Sequence, residues 1–339
     1  MTAAPLNVAV FGAGSIGCYL GGQLAHAGAA VTFIGRERFK RDIDANGLTL
    51  THFERGDISL SPDKFIFSLD PNNIAAANII LLTTKSQDTA KAATSIAAHA
   101  KSDAIIISFQ NGVSNPKVLR SVLQHTVLGG VVPFNVTGTG AGRFHCGTEG
   151  DLTVETIDDP RMKRLQDLFA QAGQGLTLSD EILAVQWGKL LVNLNNAFNA
   201  LTGGTLKEGL MQRDYRKALA LVVEEGLTVT NGAGIEPAAF GKADAAKMIK
   251  ILRLPNFIYK IIMDKIVKID ASARSSMLDD LEMGRVSEID YLQGEIVRLA
   301  KETGQVAPCN EIILKLVRTA FSNGQSPKLS GRELYSRLK

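Results

Sequence analysis

Hydrophobic residues in the first half of the chain form short runs rich in Val and Ile, separated by longer stretches with helical spacing of apolar positions. This alternation is typical of a parallel sheet with helices on both faces. The predicted strands are Asn7–Phe11, Ala30–Ile34, Asn78–Thr84, Ala104–Phe109, Thr126–Val132 and Asp151–Glu155. The predicted crossover helices are Ser15–Ala27, Ser86–Ala98 and Pro116–Val122. The segment from Gly47 to Leu60 predicts an antiparallel insertion instead.

Beyond Leu178 the strand pattern stops and only helical periodicity continues. The predicted helices there are Asp180–Leu201, Arg213–Gly232, Ala238–Leu252, Pro255–Lys268, Ser287–Thr303 and Cys309–Ser322. We therefore predict an α/β protein with two domains. A Rossmann-type domain built on a doubly wound parallel sheet is expected over residues 1–179, and an all-helical domain over residues 180–339.

The composition excludes several classes of protein. A hydrophobic fraction of 45% is ordinary for a folded protein. A net charge of +3 over 339 residues is too small to indicate a nucleic-acid-binding surface. The sequence has no apolar segment long enough to span a bilayer and no leader-like N-terminus. Its three separated cysteines and five scattered histidines suggest neither a disulfide framework nor a metal cluster. We expect a metal-free cytoplasmic protein, and the apolar helical half is compatible with a homodimer.

The stretch from Lys247 to Ile269 mixes Lys and Arg with large apolar residues. Such a mixture also occurs in helices that lie on a membrane surface. Pro255 divides the stretch, and acidic residues nearby balance its charge. We therefore interpret it as helix faces that are buried or form a subunit contact, and we expect no membrane partner.

A glycine-rich loop directly follows the first predicted strand and opens a helix, and its residues are Gly12, Ala13, Gly14, Ser15, Ile16 and Gly17. In this context the Gly-x-Gly-x-x-Gly pattern indicates a dinucleotide-binding loop. Gly12 is expected to permit the tight turn, Gly14 the approach of a pyrophosphate, and Gly17 close packing of helix on strand. The helix N-terminus would then bind the anion.

Arg36 follows the second predicted strand, at the place where an NAD-preferring site usually carries an acidic residue. A guanidinium can bind a 2′-phosphate through two hydrogen bonds and keeps its charge. This residue therefore favours NADPH over NADH, although Glu37 is a local objection and Arg36 could also be an ordinary surface charge.

Lys189 and Asn193 are four residues apart on the helix predicted from Asp180, so their side chains share one face. A lysine and asparagine at this spacing are more often a surface pair than a catalytic one. Lys85 and Asn111 each follow a predicted strand, where ligands bind in doubly wound folds. For Asn111, which precedes Gly112, ordinary turn chemistry is the alternative explanation.

The whole set of motifs resembles the ketopantoate reductase family nearly end to end. The motifs that carry the resemblance are the glycine loop, Arg36, Lys85-Ser86-Gln87, Gln110-Asn111-Gly112, Trp187 to Asn193, Ser275-Ser276-Met277 and Glu288-Ile289-Asp290-Tyr291. The resemblance implies NADPH-dependent reduction of a 2-oxo acid, with ketopantoate as the first candidate. Another bulky 2-oxo acid, an imine, or a non-catalytic NADPH sensor are the alternatives.

The resemblance also implies residue roles. Lys189 is the general acid, and Glu288 reaches the cofactor ribose or positions Lys189. Lys85, Asn111 and Asn135 lie at the cofactor, with Asn111 also touching substrate. Ser276 binds the substrate carboxylate, while Asn193 helps to orient the substrate.

Three positions depart from the family pattern, namely Ala197, Lys207 and Ala273. Ala197 stands where a second substrate asparagine is common, and Asn196, seven residues beyond Lys189, would return to the same helical face in its place. Reductase chemistry is therefore a firmer expectation than ketopantoate as the substrate.

Overall fold

The structure is a computed structural model that describes residues 4–241, 244–266 and 273–339. The chain divides into two compact units, residues 1–182 and 183–339. The C-terminal end predicted for the helix Pro255–Lys268 lies outside the described residues, as do residues 242–243 of the helix predicted from Ala238.

The strands belong to the first unit. In chain order they are β1 (Asn7–Phe11), β2 (Ala30–Ile34), β3 (Leu48–His52), β4 (Ile58–Leu60), β5 (Ile66–Ser68), β6 (Ile79–Leu82), β7 (Ile105–Ser108), β8 (Thr126–Val131), β9 (Val136–Gly140), β10 (Arg143–Cys146), β11 (Leu152–Glu155) and β12 (Leu176–Ser179). The helices of this unit are α1 (Ser15–His26), α2 (Glu37–Asn46), α3 (Thr89–His99), α4 (Asn115–Val122) and α5 (Pro160–Gln171).

The second unit is helical. Its helices are α6 (Ile182–Asn193), which begins at the unit boundary, α7 (Asn195–Thr202), α8 (Leu206–Met211), α9 (Arg213–Gly232), α10 (Ala245–Leu252), α11 (Asn256–Ile266), α12 (Ser276–Glu282), α13 (Gln293–Glu302), α14 (Pro308–Ser322) and α15 (Gly331–Arg337). Among the described residues, every helix falls short of the combined length and apolar character that a membrane crossing requires.

The main sheet of the first unit has the order β12-β11-β8-β7-β6-β1-β2-β5. From β5 to β8 all neighbours are parallel, which confirms the predicted Rossmann-type sheet. Strand β11 differs, because it pairs antiparallel with β8. The β9–β10 hairpin takes the place of a crossover helix between β8 and β11, and a parallel return requires such a crossover.

Both faces of the main sheet are buried. Alternate residues of β1 pack into two different hydrophobic cores. Val8 and Val10 join a core with α1 and α5, whereas Ala9 joins a second core with α3 and α4. Strands β6 and β7 are buried along their whole length. This two-sided burial explains their continuous apolar sequence.

The insertion predicted from Gly47 to Leu60 is confirmed as the antiparallel pair β3 and β4. It forms part of a second sheet, of order β4-β3-β10-β9, in which β10 pairs parallel with β3. The β3–β4 pair and the β9–β10 hairpin, which are far apart in the sequence, therefore pack together in this small sheet. The β9–β10 hairpin was not predicted.

Two predicted helices are interrupted. The helix expected over Asp180–Leu201 is divided at Leu194 into α6 and α7. The helix expected over Ser287–Thr303 is a 3-10 turn, Ile289–Tyr291, followed by α13. By contrast, α9 has the predicted bounds, because its long amphipathic pattern is not broken by other contacts.

Candidate active site

The glycine loop connects β1 to α1 as the sequence predicts. Gly12 has φ +108°, and a Cβ there would lie 2.5 Å from the backbone nitrogen of Thr84. A Cβ on Gly17 would lie 2.6 Å from the Gly12 carbonyl oxygen. These two glycines are therefore required by the turn and by the packing of α1 on the sheet.

Gly14 is different, because the protein itself does not need a glycine there. A Cβ on this residue would meet only the Gly12 carbonyl oxygen, at 3.9 Å. The N-terminus of α1 has no side-chain cap, and Ser15 and Ile16 of its first turn are half-buried. Open space beside uncapped amides fits a bound pyrophosphate.

Arg36 lies next to this loop. The amides of Gly12 and Ala13 both donate to the Ile34 carbonyl oxygen at 2.9 Å, which ties the loop to the end of β2. Gly35 follows at once, and a Cβ there would lie 2.9 Å from the Cβ of Ala13. Arg36 is exposed at the N-terminus of α2, so a cation stands beside the loop.

Lys85, Asn111 and Asn135 lie at the same edge of the sheet as the loop. They follow the ends of β6, β7 and β8 by three, three and four residues, and these strands are parallel neighbours. Lys85 and Asn111 are half-buried, whereas Asn135 is exposed. The first unit thus brings together all the cofactor residues predicted within it.

A buried polar network holds the two loops that carry Lys85 and Asn111, and it was not predicted. The amide of Gln110 donates to Thr89 Oγ1 at 2.8 Å and to the Thr84 carbonyl oxygen at 3.2 Å. Ser86 Oγ and Asn115 Nδ2 both donate to the Asn111 carbonyl oxygen, at 2.8 and 2.6 Å. The Ser, Thr, Gln and Asn residues that flank the strand ends were the available signal.

Asn111 also lies in a turn, since the next residue, Gly112, has φ +89°. The two explanations given for Asn111 are compatible, because its backbone carbonyl serves the network and its side chain is not involved in those bonds. The turn fixes the backbone from which this side chain projects.

The candidate catalytic group lies in the second unit. Lys189 and Asn193 are one turn apart on α6, and both are half-buried. Burial lowers the pKa of Lys189 to about 8, and the negative charge of Glu288 opposes this shift. Glu288 is itself only 7% exposed. An ammonium with a pKa near neutrality is suited to proton transfer.

Asn196 lies on α7, across the interruption at Leu194, and is half-buried. Its backbone carbonyl oxygen accepts from Ser275 Oγ at 3.2 Å. Ser275 caps α12, and Ser276, the first residue of that helix, is exposed. The structure therefore brings Asn196 and Ser276 into one neighbourhood of the second unit.

Asn199 also stabilises the segment around Asn196 and Ser276. This role was not predicted from the sequence. Asn199 Oδ1 accepts from the Ser275 amide at 2.9 Å, and its Nδ2 donates to the Gly204 carbonyl oxygen at 2.9 Å. Both halves of this fully buried amide are thus used. The role of Asn199 is to hold the start of α12 against α7.

Two of the three positions that depart from the family pattern are neighbours. The amide of Leu206 donates to the Ala273 carbonyl oxygen at 2.9 Å, so Lys207, exposed on α8, lies close to Ala273. Ala197 is fully buried on α7. This side of the second unit therefore has a cation and small apolar groups.

The parallel sheet, its glycine loop and the helical unit with a half-buried lysine and a buried glutamate define a Rossmann-type oxidoreductase. More specifically, the chain belongs to the ketopantoate reductase PanE/ApbA family, which it matches over residues 8–159, with the C-terminal domain of that family matched over residues 181–320. Members of this family use NADPH. The resemblance drawn from the motifs is confirmed.

Individual relatives agree with this assignment. The 2-dehydropantoate 2-reductase of Pyrococcus horikoshii is 28% identical over 330 residues, which cover 95% of this chain and 100% of the relative. The crystal structure of a PanE/ApbA family ketopantoate reductase from Ralstonia eutropha JMP134 has a TM-score of 0.81 and 31% identity, covering 94% of this chain and 99% of that one.

The fold also occurs in a solved dehydrogenase complex. D-mandelate dehydrogenase, solved with NADH and anilino(oxo)acetate, has a TM-score of 0.79 at 21% identity, covering 94% of this chain and 99% of that one. At this identity the likeness concerns the fold alone. The architecture is therefore used by proteins with different substrates and nicotinamide cofactors.

Proposed function

We propose that this protein catalyses the NADPH-dependent reduction of 2-dehydropantoate (ketopantoate) to pantoate, a step of pantothenate biosynthesis. The observation that carries the proposal is the half-buried Lys189, whose pKa is about 8 under the opposing effects of burial and Glu288. Membership of the family supports the reaction class.

The residues of the first unit fit the cofactor. Gly14 leaves open space beside the uncapped N-terminus of α1, where a pyrophosphate would bind. Arg36 would bind the 2′-phosphate that distinguishes NADPH from NADH. Lys85, Asn111 and Asn135 would contact the cofactor from the ends of neighbouring strands. When bound, NADPH supplies the hydride.

Lys189 would hold and deliver the proton. With a pKa of about 8, most of its amine is protonated at neutral pH, yet the proton leaves more easily than from an ordinary lysine. The ammonium would polarise the ketone and then protonate its oxygen. Glu288 would keep the ammonium charged in its buried setting, and it would also contact the ribose of the cofactor.

The substrate would be held by amides and a hydroxyl. Asn193 and Asn196 would orient the keto acid beside Lys189, Ser276 would bind its carboxylate, and Asn111 would contact substrate as well as cofactor. Correct orientation of a bound ketone is itself a large part of catalysis, since it removes the entropy cost of alignment from the chemical step.

The test is the oxidation of NADPH and of NADH by purified protein with a panel of 2-oxo acids. We expect kcat/KM for ketopantoate to exceed that for 2-oxo-3-methylbutanoate by about tenfold or more, since that compound lacks the hydroxymethyl group and leaves the polar groups that would bind the hydroxyl unpaired. NADPH should be preferred over NADH. Equal turnover of all keto acids would contradict ketopantoate as the substrate.

A second candidate is another bulky 2-oxo acid or an imine, with the same cofactor chemistry. Ala197, Ala273 and the exposed Lys207 favour it, because they change the polar groups of the neighbourhood that contains Ser276. The same panel, extended to imines formed from a 2-oxo acid and an amine, decides between them. Binding of NADPH without turnover of any member would point to a cofactor sensor.

We also propose that the protein acts as a homodimer in the cytoplasm. The ketopantoate reductase of Staphylococcus aureus, a structural relative, is dimeric. Light scattering on the purified chain, with and without NADPH, would measure the assembly directly. A monomer at working concentration under both conditions would contradict it.

A further inference from the structure

Gln293 is a fully buried polar residue at the start of α13. Its Nε2 donates to the Leu194 carbonyl oxygen at 2.9 Å. Its Oε1 is buried and has no hydrogen-bond partner among the described residues. A buried amide with one unsatisfied half is costly, so the one bond that it makes needs an explanation.

That bond reaches the interruption between α6 and α7. Leu194 separates the two helices, and Asn193 and Lys189 lie on the α6 side of it. On another side the junction is packed closely against α9, because a Cβ on Gly226 would lie 2.8 Å from Leu191 and 3.5 Å from Leu194. Close packing thus fixes the junction against α9, while a hydrogen bond fixes it to α13.

The other end of the bond is linked to Glu288 by a short and ordered segment. The 3-10 turn Ile289–Tyr291 joins the two residues, and the Tyr291 amide donates to the Glu288 carbonyl oxygen at 2.9 Å. Gln293 follows two residues later and begins α13. A displacement of Gln293 would therefore be passed to the backbone of Glu288.

We propose that Gln293 is a positioning residue that fixes Glu288 relative to Lys189 through its bond to Leu194. The bond joins the segment that carries the carboxylate to the segment that carries the amine, across 99 positions of sequence. This inference rests on the proposed roles of Lys189 and Glu288. It adds a residue that contacts neither substrate nor cofactor.

The consequence concerns the proton on Lys189. Burial lowers the pKa of this amine and Glu288 raises it. If Glu288 moves away while the burial remains, the pKa falls further below 8. Lys189 then loses its proton at a lower pH, and reductase activity declines earlier as the pH rises.

The experiment replaces Gln293 by Met, which has a similar length and no donor. The pKa of Lys189 is measured by NMR on protein with labelled lysine, with the signal assigned through Lys189→Arg. We expect a decrease of about 0.5 to 1 unit, and the alkaline limb of the kcat profile should move by the same amount. If Gln293→Met does not fold, Gln293→Asn, whose shorter amide does not reach Leu194, replaces it.

Gln305 provides a matched control near the other end of α13. Its Nε2 donates to a backbone carbonyl oxygen, that of Val229, at 3.0 Å. Gln305→Met removes a bond of the same kind in the same unit, together with the bond from Gln305 Nε2 to Thr303 Oγ1 at 2.8 Å. It is expected to lower stability without moving the pKa of Lys189, which separates positioning from a general loss of packing.

A double-mutant cycle gives the outcome that would overturn the proposal. In a Glu288→Gln background the substitution of Gln293 should produce no further shift, because there is no carboxylate left to position. An equal shift in both backgrounds, or no shift in either, refutes the role of Gln293. The NMR measurement needs no turnover, so a wild type inactive on every keto acid would refute the proposed function separately.

Discussion

The glycine loop of the first unit and the Lys189 neighbourhood of the second are built in opposite ways. The loop is made mostly of backbone, and its three glycines fall within six consecutive positions. The second region, as proposed, combines side chains from α6, α7, α12 and the segment before α13. A backbone site depends on local conformation, whereas a side-chain site depends on the packing of distant segments.

The strongest test of this contrast is Lys189→Ala. We expect kcat to fall by about 10² to 10⁴, since the variant loses its proton donor. The Kd of NADPH should change little, because the glycine loop belongs to the other unit. Stopped-flow single turnovers and fluorescence titration measure the two quantities.

Lys301→Ala, at an exposed position of α13, is the control and should leave both quantities unchanged. Retention of most activity by Lys189→Ala would remove this residue from the reaction. In that case the proton would have to come from another group.

A second test separates the glycines from one another. Gly12→Ala should destabilise the protein by about 2 to 4 kcal/mol, because the new Cβ meets the Thr84 backbone at a positive φ. Gly14→Ala should fold normally, since the space beside it is open, but weaken NADPH binding about tenfold or more.

Urea unfolding and NADPH titration of both variants give the comparison. If Gly14→Ala bound NADPH like the wild type, the open space would not be the pyrophosphate site.

Arg36→Ala should reduce the preference for NADPH over NADH by about tenfold, a loss typical of one charge-assisted contact. The measurement is the ratio of kcat/KM for the two cofactors. Arg36→Lys, which retains the charge but not the planar guanidinium, should retain part of the preference. An unchanged ratio in Arg36→Ala would make this residue an ordinary surface cation.

The smallest expected effect concerns stability and pH. The folded protein lowers the pKa of Lys189 from 10.5 to about 8. Below pH 8 the amine is therefore protonated in both states, and its protonated form is less favourable in the folded protein than in the unfolded chain. Stability from this group therefore rises between about pH 8 and 10.5. A variant that replaces both members of the pair, Lys189→Met with Glu288→Gln, should be more stable than the wild type at pH 7, by about 1 kcal/mol, with the difference shrinking toward pH 10.

Denaturant melts at several pH values measure this difference. A difference that grows with pH would mean that the charged form of Lys189 is favoured by the fold, contrary to the effect of burial.

The sequence predicted the first region well because its signals are local. Strands β1 and β2 have the predicted bounds, and the glycine positions follow from the turn between β1 and α1. Helix α2 was missed, because Ile43 is its one buried residue and gives no periodic pattern. Strand β5, three residues long, was too short to recognise.

The second region was predicted less completely. Lys189 and Asn193 share a helical face because both precede the interruption, but the interruption itself was missed. Leu194 is apolar and fits the helical pattern, and its contact comes from Gln293, 99 residues away. The same reason applies to Asn199 and Ser275, which meet across 76 residues. The periodicity of apolar residues does not predict hydrogen-bond partners that are so distant in the sequence.

The small sheet of the first unit has a consequence for the way the chain folds. Strand β3 cannot find its parallel partner β10 until nearly a hundred further residues have been synthesised, so this sheet belongs to the late, slow events of folding. Until then Leu48 and Leu50, fully buried in the finished protein, have an open strand edge beside them. We therefore expect a nascent or truncated chain that ends before Arg143 to aggregate more readily than the full chain.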